Sequence, residues 1–402
     1  MTALAPLDAD VATTAGVRPL TLDISRLLAR ARYATPTGID RVELAYARAL
    51  LARGEGAGFE AWVPGLGFVS YAPAAVARLV ASLEALWGTG GAVSVGRAIR
   101  ALAGFRPRRE NAYGAVHLIV SHHHLDDLPR RMRRREGTRT CVYVHDTIPS
   151  DYPEYARPGG GDRHARRMRN AVALADAVIV NSAATARSLE PFTAATGRRP
   201  PLLVAPLGVE PHLAPAVAIE DGDPYFLCIG TIEPRKNHLM LLQLWRALAE
   251  AGRGEALPRL VLVGKRGWEN ENIVDLLDRS SALRGLVTEA GCVGDAELAT
   301  LIAGARAVLM PSFAEGFGLP VAEALAAGVP VIASDIPVLR ETGGAVPDYI
   351  HPLDGLGWLA AIRDYTPAGS ARRAAQLERL QDWHAPSWSD HFAHVVPFLE
   401  AL

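Results

Sequence analysis

Cysteine and lysine are both scarce in this chain of 402 residues. The 3 cysteines, Cys141, Cys228 and Cys292, lie far apart within apolar stretches. That spacing excludes a disulfide framework or a zinc site, and it predicts buried thiols in a reducing compartment. Arginine supplies nearly all of the positive charge, which reflects coding bias. Lysine occurs only at Lys236 and Lys265, each in a loop after a predicted strand, where a compact ammonium group suits phosphate.

Apolar runs long enough to cross a membrane are also missing. The longest run, near Ala171–Val180, contains Asp176 and is far shorter than the roughly 20 apolar residues of a transmembrane helix. Met1–Ala15 lacks a basic segment followed by an apolar core, so we predict no secretory leader. The net charge is -1, which gives no overall field that would attract nucleic acid. We therefore expect a soluble, cytoplasmic protein that binds no nucleic acid.

Short apolar runs alternate with helical segments, a pattern typical of parallel sheets with helices on both faces. The predicted fold is α/β, with two doubly wound Rossmann-like domains that face each other across a cleft. Turn-forming residues in the segment 211–224 separate the two sets of strands. We predict an N-terminal domain at residues 1–212, a C-terminal domain at 213–382 and a last helix at 383–402 that packs back on the first domain. The predicted strands are Leu20–Ile24, Val116–Val120, Thr140–His145, Ala177–Asn181, Leu202–Ala205, Tyr225–Gly230, Arg259–Gly264, Val287–Val293, Ala307–Pro311 and Val329–Ala333.

Motifs of several other nucleotide-binding classes are incomplete. Phe59 and Val93 occupy the third glycine position of two possible dinucleotide-binding loops, and no P-loop signature is present. Two Asp-x-Asp triplets, Asp8–Asp10 and Asp221–Asp223, fall in the terminal segment and in the linker, where solvated loop residues are the better interpretation. We therefore predict no metal site and no cofactor.

The sharpest motif runs from Pro311 to Leu325, where a strand ends, a glycine loop follows and a helix begins near Pro320. Glycines let backbone amides approach a ligand, and the start of a helix attracts anions. Glu315 lies in the loop, and Glu323 is predicted in the first helical turn, so both carboxylates can face one pocket. Carboxylates accept paired hydrogen bonds from sugar or ribose hydroxyls.

A second motif follows the strand that ends at Gly230. Arg235 and Lys236 lie at the entrance of the next helix, which is predicted to begin at His238 with Asn237 as its cap. Two cations at the carboxyl edge of a sheet can stabilise a departing diphosphate in place of a metal ion. The alternative is a solvated surface pair, which this position disfavours.

The two motifs, in this order and spacing, resemble the retaining family-four glycosyltransferases of the GT-B fold, in their bacterial mannosyltransferase-like branch. Glu315 and Glu323 resemble the E-x7-E pair of that family, and Gly230–Asn237 resembles its phosphate-binding segment. In the first domain, Pro36–Arg41 resembles the loop that opens onto the donor phosphates. Tyr143–Pro149 is similar to a segment in which a strand-end histidine faces the donor sugar.

The resemblance implies a role for each matched residue. The residues implied in catalysis are His145, Arg235, Lys236 and Glu315. The residues implied in donor binding are Gly38, Gly230, Thr231, Lys265, Val293, Gly316, Phe317, Gly318, Leu319 and Glu323, the last of them on the ribose. Residues at the strand ends that face the acceptor side are His122, His123, His124 and Asp146. Three adjacent histidines diverge at a strand end, so a non-metal role is the better interpretation, and for His145 a purely structural role is the alternative.

The implied reaction is retaining transfer from a nucleotide diphosphate sugar, with GDP-mannose as the first candidate, to a glycan or lipid-linked acceptor hydroxyl in surface polysaccharide synthesis. The alternatives are a sugar-nucleotide epimerase of the same fold, a silent sensor, and a transferase that uses a UDP- or dTDP-sugar. Arginine clusters at 106–109, 130–135 and 163–169 are either solvated faces or a peripheral contact with anionic lipid on the inner face of the cytoplasmic membrane.

Overall fold

The structure is a computed structural model that describes residues 18–63, 67–89, 115–129, 137–210, 224–252 and 257–402. Within these ranges the strands form two sheets, one in each half of the chain. The Asp-x-Asp triplets at Asp8–Asp10 and Asp221–Asp223 and the arginine clusters at 106–109 and 130–135 lie outside the described residues.

The first sheet has 7 described strands in the order β3-β2-β1-β4-β5-β6-β7. They are β1 (Leu20–Asp23), β2 (Ala57–Val63), β3 (Gly67–Ser70), β4 (Val116–Ile119), β5 (Arg139–Val144), β6 (Ala177–Val180) and β7 (Leu202–Val204). All pair in parallel except β2 and β3, which form an antiparallel hairpin at one edge. The helices around this sheet are α1 (Ser25–Arg30), α2 (Gly38–Arg53), α3 (Pro73–Gly88), α4 (Ile148–Asp151), α5 (Gly160–Leu174), α6 (Ala183–Ser188) and α7 (Glu190–Thr196).

The second sheet is wholly parallel, with the order β10-β9-β8-β11-β12-β13 among the described strands. They are β8 (Tyr225–Ile229), β9 (Arg259–Val263), β10 (Val287–Gly291), β11 (Ala307–Met310), β12 (Val331–Ser334) and β13 (Asp348–Ile350). The helices of this half are α8 (His238–Ala251), α9 (Glu271–Arg279), α10 (Asp295–Ala303), α11 (Leu319–Ala326), α12 (Pro337–Gly343), α13 (Gly355–Tyr365), α14 (Ala371–Leu380) and α15 (Trp388–Glu400). The central strands are buried along their whole length because helices cover both faces.

The last helix, α15, returns to the first half of the chain. The hydroxyl of Tyr46 in α2 lies 2.8 Å from Nε2 of His391, and Nδ1 of His391 lies 2.8 Å from the carbonyl oxygen of Pro206. Arg53 pairs with Glu400 at 2.6 Å near the other end of the helix. The chain therefore crosses from the second half back to the first, and α15 packs against α2.

The ten predicted strands are all present, with ends that differ from the prediction by at most two residues. The strands β2, β3 and β13 were not predicted, and the antiparallel pair of β2 and β3 is an exception to the predicted parallel sheets. Cys141 and Cys228 are buried as predicted, but Cys292 is exposed because it follows the edge strand β10. None of the described helices is long and apolar enough to cross a membrane.

Candidate functional site

The glycine loop before α11 meets the first sheet's carboxyl edge. The carbonyl oxygen of Gly316 accepts hydrogen bonds from Ser182 Oγ at 2.9 Å and from Thr185 Oγ1 at 3.3 Å. A Cβ atom at Gly316 would collide with the carbonyl oxygen of His145 and lie 3.1 Å from Cβ of Asp146. Only glycine allows this approach, so the structure shows the two halves closed onto each other at the predicted sugar loop.

Two helices of opposite halves begin at the same place. Gly38 is the first residue of α2, and a Cβ there would lie 3.6 Å from Cδ1 of Leu319, the first residue of α11. Gly318 precedes α11 with φ of 92°, a left-handed conformation that favours glycine. Because the positive ends of both helix dipoles point to this region, it suits an anion.

A cluster of charged side chains lies beside that region and joins the two motifs of the second half. Lys236 Nζ lies 2.6 Å from Oε1 of Glu315, and Arg235 Nη1 lies 3.1 Å from Oε2 of the same carboxylate. Arg235 also pairs through Nε with Glu233 at 2.6 Å. These four residues, called the diphosphate cluster below, balance two cations against two carboxylates in a largely buried place.

Charges within the cluster shift its pKa values. Burial opposes ionisation of Glu315, but Lys236 and Arg235 outweigh it and lower its pKa to about 2. Burial also opposes the charge of Arg235, yet Glu315 and Glu233 raise its pKa above the usual value. Burial raises the pKa of Glu233 despite the neighbouring cations. Glu315 is therefore ionised at neutral pH, and it holds both cations where a diphosphate would compete for them.

The backbone around the cations departs from the predicted helix cap. Asn237 adopts φ of 56°, and its side chain donates to the carbonyl oxygen of Pro352 at 2.9 Å and to Sδ of Met240 at 3.7 Å, but it accepts no capping hydrogen bond from the first N–H groups of α8. The prediction of Asn237 as a side-chain cap is therefore wrong, although α8 does begin at His238. At Gly230, with φ of 145°, a Cβ would lie 3.1 Å from Cε of Lys236, so this glycine makes room for the lysine.

Glu323 and Glu315 lie against different cations. Glu323 is the fifth residue of α11, which corrects the prediction of the first turn because the helix begins at Leu319. It is 7% exposed. Burial opposes the charge of Arg41, but Asp295 and then Glu323 contribute to a raised pKa of that guanidinium. Glu323 therefore faces α2 of the first half, whereas Glu315 pairs with cations of its own half.

His145 lies at the end of β5 in a group of histidines. Its ring Nε2 lies 2.6 Å from the carbonyl oxygen of Val120, which can only accept, so Nε2 carries the proton. Its backbone N–H donates to Nε2 of His122 at 3.0 Å, and His164 Nε2 donates to the carbonyl oxygen of Asp146 at 3.1 Å. Burial lowers the pKa of His145 to about 4, and burial together with the nearby His164 lowers the pKa of His122 well below its usual value. His145 is neutral at pH 7, with Nδ1 as its acceptor nitrogen.

The four residues predicted on the acceptor side have different surroundings in the structure. His122 is buried and supports the backbone of His145. The rings of His123 and His124 have centroids 3.7 Å apart and planes tilted by 41°, and His124 adopts φ of 64°. Asp146 accepts from the backbone N–H of Ile148 at 3.1 Å and thereby shapes the loop after β5. Among the described residues, no group of His, Cys, Asp or Glu is arranged to hold a metal ion.

The remaining predicted donor residues lie along the carboxyl ends of β8, β9, β10 and β11. Lys265 is exposed, and its carbonyl oxygen accepts from Ile232 N–H at 2.9 Å, which joins the loops after β8 and β9. Thr231 lies beside this junction, Val293 packs on the core of the second half, and Phe317 is buried. The structure thus brings the predicted donor residues to one sheet edge.

Two carboxylates at this site, Glu233 and Glu341, were not predicted from the sequence. Glu233 lies two residues before Arg235, and that spacing was the available signal for their ion pair. Glu341 in α12 accepts hydrogen bonds from the backbone N–H groups of Ala183 at 2.5 Å and Ala184 at 3.2 Å, at the start of α6. No local sequence pattern predicts the contact of Glu341, because Ala183 and Ala184 lie 158 and 157 residues before it in the chain.

Both the sequence and the fold of this chain have counterparts among known proteins. Residues 210–345 match the family model described as Glycosyl transferases group 1. The sucrose-phosphate synthase of Thermosynechococcus elongatus superposes with a TM-score of 0.61 at 19% identity, over 96% of this chain and 99% of that one. Anabaena Alr3699/HepE in complex with UDP-glucose superposes with a TM-score of 0.61 at 16% identity, over 96% of this chain and 100% of that one. The chain therefore has a GT-B fold, and its residues 210–345 are similar to the group 1 glycosyl transferases.

Two curated relatives of this chain are named as O-antigen mannosyltransferases. The O-antigen chain mannosyltransferase B of Escherichia coli is 43% identical over 166 residues, 41% of this chain and 43% of that protein. The O-antigen chain mannosyltransferase RfbU of Salmonella typhimurium is 32% identical over 150 residues, 36% of this chain and 39% of that protein. The matches span less than half the length of these relatives. The predicted fold and family resemblance are confirmed.

Proposed function

We propose that this chain transfers mannose from GDP-mannose, with retention of anomeric configuration, to a hydroxyl of a glycan or lipid-linked acceptor in surface polysaccharide synthesis. The observation that carries the proposal is the diphosphate cluster at the closed cleft, inside the segment that matches the group 1 family. The names of the O-antigen mannosyltransferases support mannose as the sugar.

The diphosphate cluster supplies what the leaving group needs. As the bond between the anomeric carbon and the phosphate oxygen breaks, negative charge grows on the diphosphate, and Arg235 with Lys236 can stabilise it. The starts of α2 and α11, at Gly38 and Leu319, add backbone N–H groups from both halves. Fixed cations of this kind can replace a metal ion, so we propose metal-independent transfer.

The acceptor oxygen forms its new bond to the anomeric carbon on the face that the diphosphate leaves. Its proton passes to the departing phosphate oxygen, so no strong protein base is required. Neutral His145 accepts a hydrogen bond from a donor-sugar hydroxyl at Nδ1 and orients the ring. Glu315 contacts the sugar from the glycine loop, and Glu323 holds the ribose.

A donor panel tests this proposal. Purified protein is given GDP-mannose, UDP-glucose or dTDP-glucose, with a mannoside acceptor and with or without excess EDTA, and the anomeric proton of the product is followed by NMR. We expect an α-mannoside from GDP-mannose in EDTA, and the same product from an Arg279→Ala control, whose exposed side chain lies on α9. A β product refutes retention, and activity that EDTA abolishes and Mg²⁺ or Mn²⁺ restores refutes metal independence.

Two alternatives are outcomes of the same panel. The HepE neighbour in complex with UDP-glucose favours a uridine nucleotide. If UDP-glucose is the only donor in the panel from which sugar is transferred, it replaces GDP-mannose as the proposed donor. A sugar-nucleotide epimerase would convert the donor without any acceptor. A donor-only incubation, analysed for epimerised sugar, separates it from a transferase.

The basic face of α5 supports a peripheral contact with anionic membranes. Arg163, Arg166 and Arg169 are exposed on this helix, while Arg167 pairs with Asp126 at 3.1 Å. Each cation near such a surface contributes about 1 kcal/mol. Reversal of the three exposed arginines to glutamate should weaken sedimentation with phosphatidylserine vesicles, and reversal of Arg279 on α9 should not. Equal sedimentation of both variants refutes the contact.

A further inference from the structure

Three aromatic rings form a row at the mouth of the cleft, next to the diphosphate cluster. The rings of Tyr152 and Tyr155 stack with centroids 5.7 Å apart and planes 23° apart. Tyr155 stacks in turn on Phe313, with centroids 6.0 Å apart and planes 16° apart. Phe313 belongs to the second half of the chain and the tyrosines to the first, so the row crosses the cleft.

The inner end of the row is held in place by the donor site. The backbone N–H of Phe313 donates to the carbonyl oxygen of Arg235 at 2.8 Å. Trp268 Nε1 donates to the carbonyl oxygen of Tyr155 at 2.8 Å, and the guanidinium of Arg157 lies 5.5 Å from the centre of the Trp268 ring. The rings therefore have fixed positions relative to the place where the leaving group departs.

The outer end of the row is exposed to solvent. Tyr152 is 40% exposed, and among the described residues neither its hydroxyl nor that of Tyr155 forms a hydrogen bond. Among the described residues, the ring of Tyr152 stacks on Tyr155 and on no ring of the second half. A large aromatic surface with free hydroxyls beside a transfer site is suited to bind a ligand with both apolar and polar faces.

We propose that Tyr152, Tyr155 and Phe313 form an acceptor subsite that binds the pyranose rings of an oligosaccharide. This inference rests on the proposed transfer to a glycan. A pyranose ring presents an apolar C–H face, which packs on an aromatic ring, and hydroxyls at its edge, which bond the phenols. Because Phe313 is two residues from Glu315, the sugar on the inner ring lies near the reacting hydroxyl. Tyr152 then contacts a sugar further from the reaction.

The position of Tyr152 makes the subsite testable by acceptor length. Binding of mannose, α-mannobiose and α-mannotriose is measured by saturation-transfer NMR on wild-type protein and on Tyr152→Ala, with maltotriose and chitotriose as other pyranose probes. We expect the variant to bind mannotriose about threefold to tenfold more weakly, the range that one aromatic stack of this kind contributes. Mannose should bind both proteins equally because it does not reach the outer ring.

A matched control and a second variant complete the experiment. Leu202→Ala removes an apolar side chain of the same 40% exposure on the edge strand β7, and it should leave mannotriose binding unchanged. Tyr155→Phe keeps the stacked rings and removes one hydroxyl, so it should weaken the binding of every saccharide probe without altering the unfolding temperature. The subsite is refuted if no trisaccharide binds wild-type protein at millimolar concentration, or if Tyr152→Ala and wild type bind mannotriose equally.

The donor is tested separately, so that the two proposals can fail independently. GDP-mannose should raise the unfolding temperature of wild-type protein and of Tyr152→Ala by the same amount. If it raises neither, the proposed donor is wrong, while length-dependent loss of mannotriose binding still supports the subsite. If Tyr152→Ala loses the GDP-mannose shift as well, the aromatic row supports the closed cleft and the acceptor subsite is refuted.

Discussion

Replacing Glu315 by glutamine removes one carboxylate from the diphosphate cluster and keeps the size of the side chain. Lys236 and Arg235 lower the pKa of Glu315 from 4.5 to about 2. Each pKa unit corresponds to about 1.4 kcal/mol, so the ionised carboxylate stabilises the folded protein by about 3 kcal/mol at pH 7. At about 2–4 °C per kcal/mol for a domain of this size, Glu315→Gln should lower Tm by about 6–12 °C.

The pH dependence of this loss follows from the direction of the shift. The pKa of Glu315 is lower in the folded state, so its stabilisation is complete above about pH 4.5 and disappears as pH falls toward about 2. The Tm difference between wild type and variant should therefore shrink over that interval. Differential scanning calorimetry at several pH values measures it.

Diphosphate binding should change in the opposite direction. Without Glu315, the charges of Lys236 and Arg235 are no longer balanced, so GDP should bind the variant more tightly although the free protein is less stable. Glu250→Gln is the matched control because Glu250 makes an exposed pair with Arg246, which contributes little. If Glu315→Gln shifts Tm no more than this control, or binds GDP more weakly than wild type, the charge-balance argument is wrong.

Three other perturbations test the catalytic assignment and one tests the fold. Lys236→Ala should lower kcat by about 10²–10³-fold, the usual cost of a lost transition-state donor, measured as sugar transfer at saturating donor. Glu323→Gln should mainly raise KM for the donor because a ribose contact is similar in ground and transition states. Gly316→Ala should prevent closure at the carbonyl oxygen of His145 and abolish transfer, whereas Gly369→Ala, where a Cβ meets no atom within 4 Å, should not. Burial lowers the pKa of His145 to about 4, below its unfolded value of about 6.5. The unfolded chain therefore binds protons first, and stability should fall as pH drops from about 6.5 to about 4 in chemical denaturation, less so in His145→Gln.

The sequence by itself determined the donor half of the site. Arg235 and Lys236 follow one strand, and Glu315 follows another, each within a few residues of a glycine at the strand end. In a parallel sheet such strand ends meet at one edge, so local spacing was enough to bring these residues together. In the structure, Glu315 forms ion pairs with Lys236 at 2.6 Å and with Arg235 at 3.1 Å.

Only the tertiary structure decided how the two halves complete the site. The contact of Glu341 with the start of α6, the bond from the backbone of His145 to His122, and the stack of Tyr155 on Phe313 join segments distant in sequence. Such contacts have no periodicity and no fixed spacing, because they depend on where separate elements pack. Local sequence therefore places side chains at the edge of a sheet, whereas packing between elements determines which of them meet.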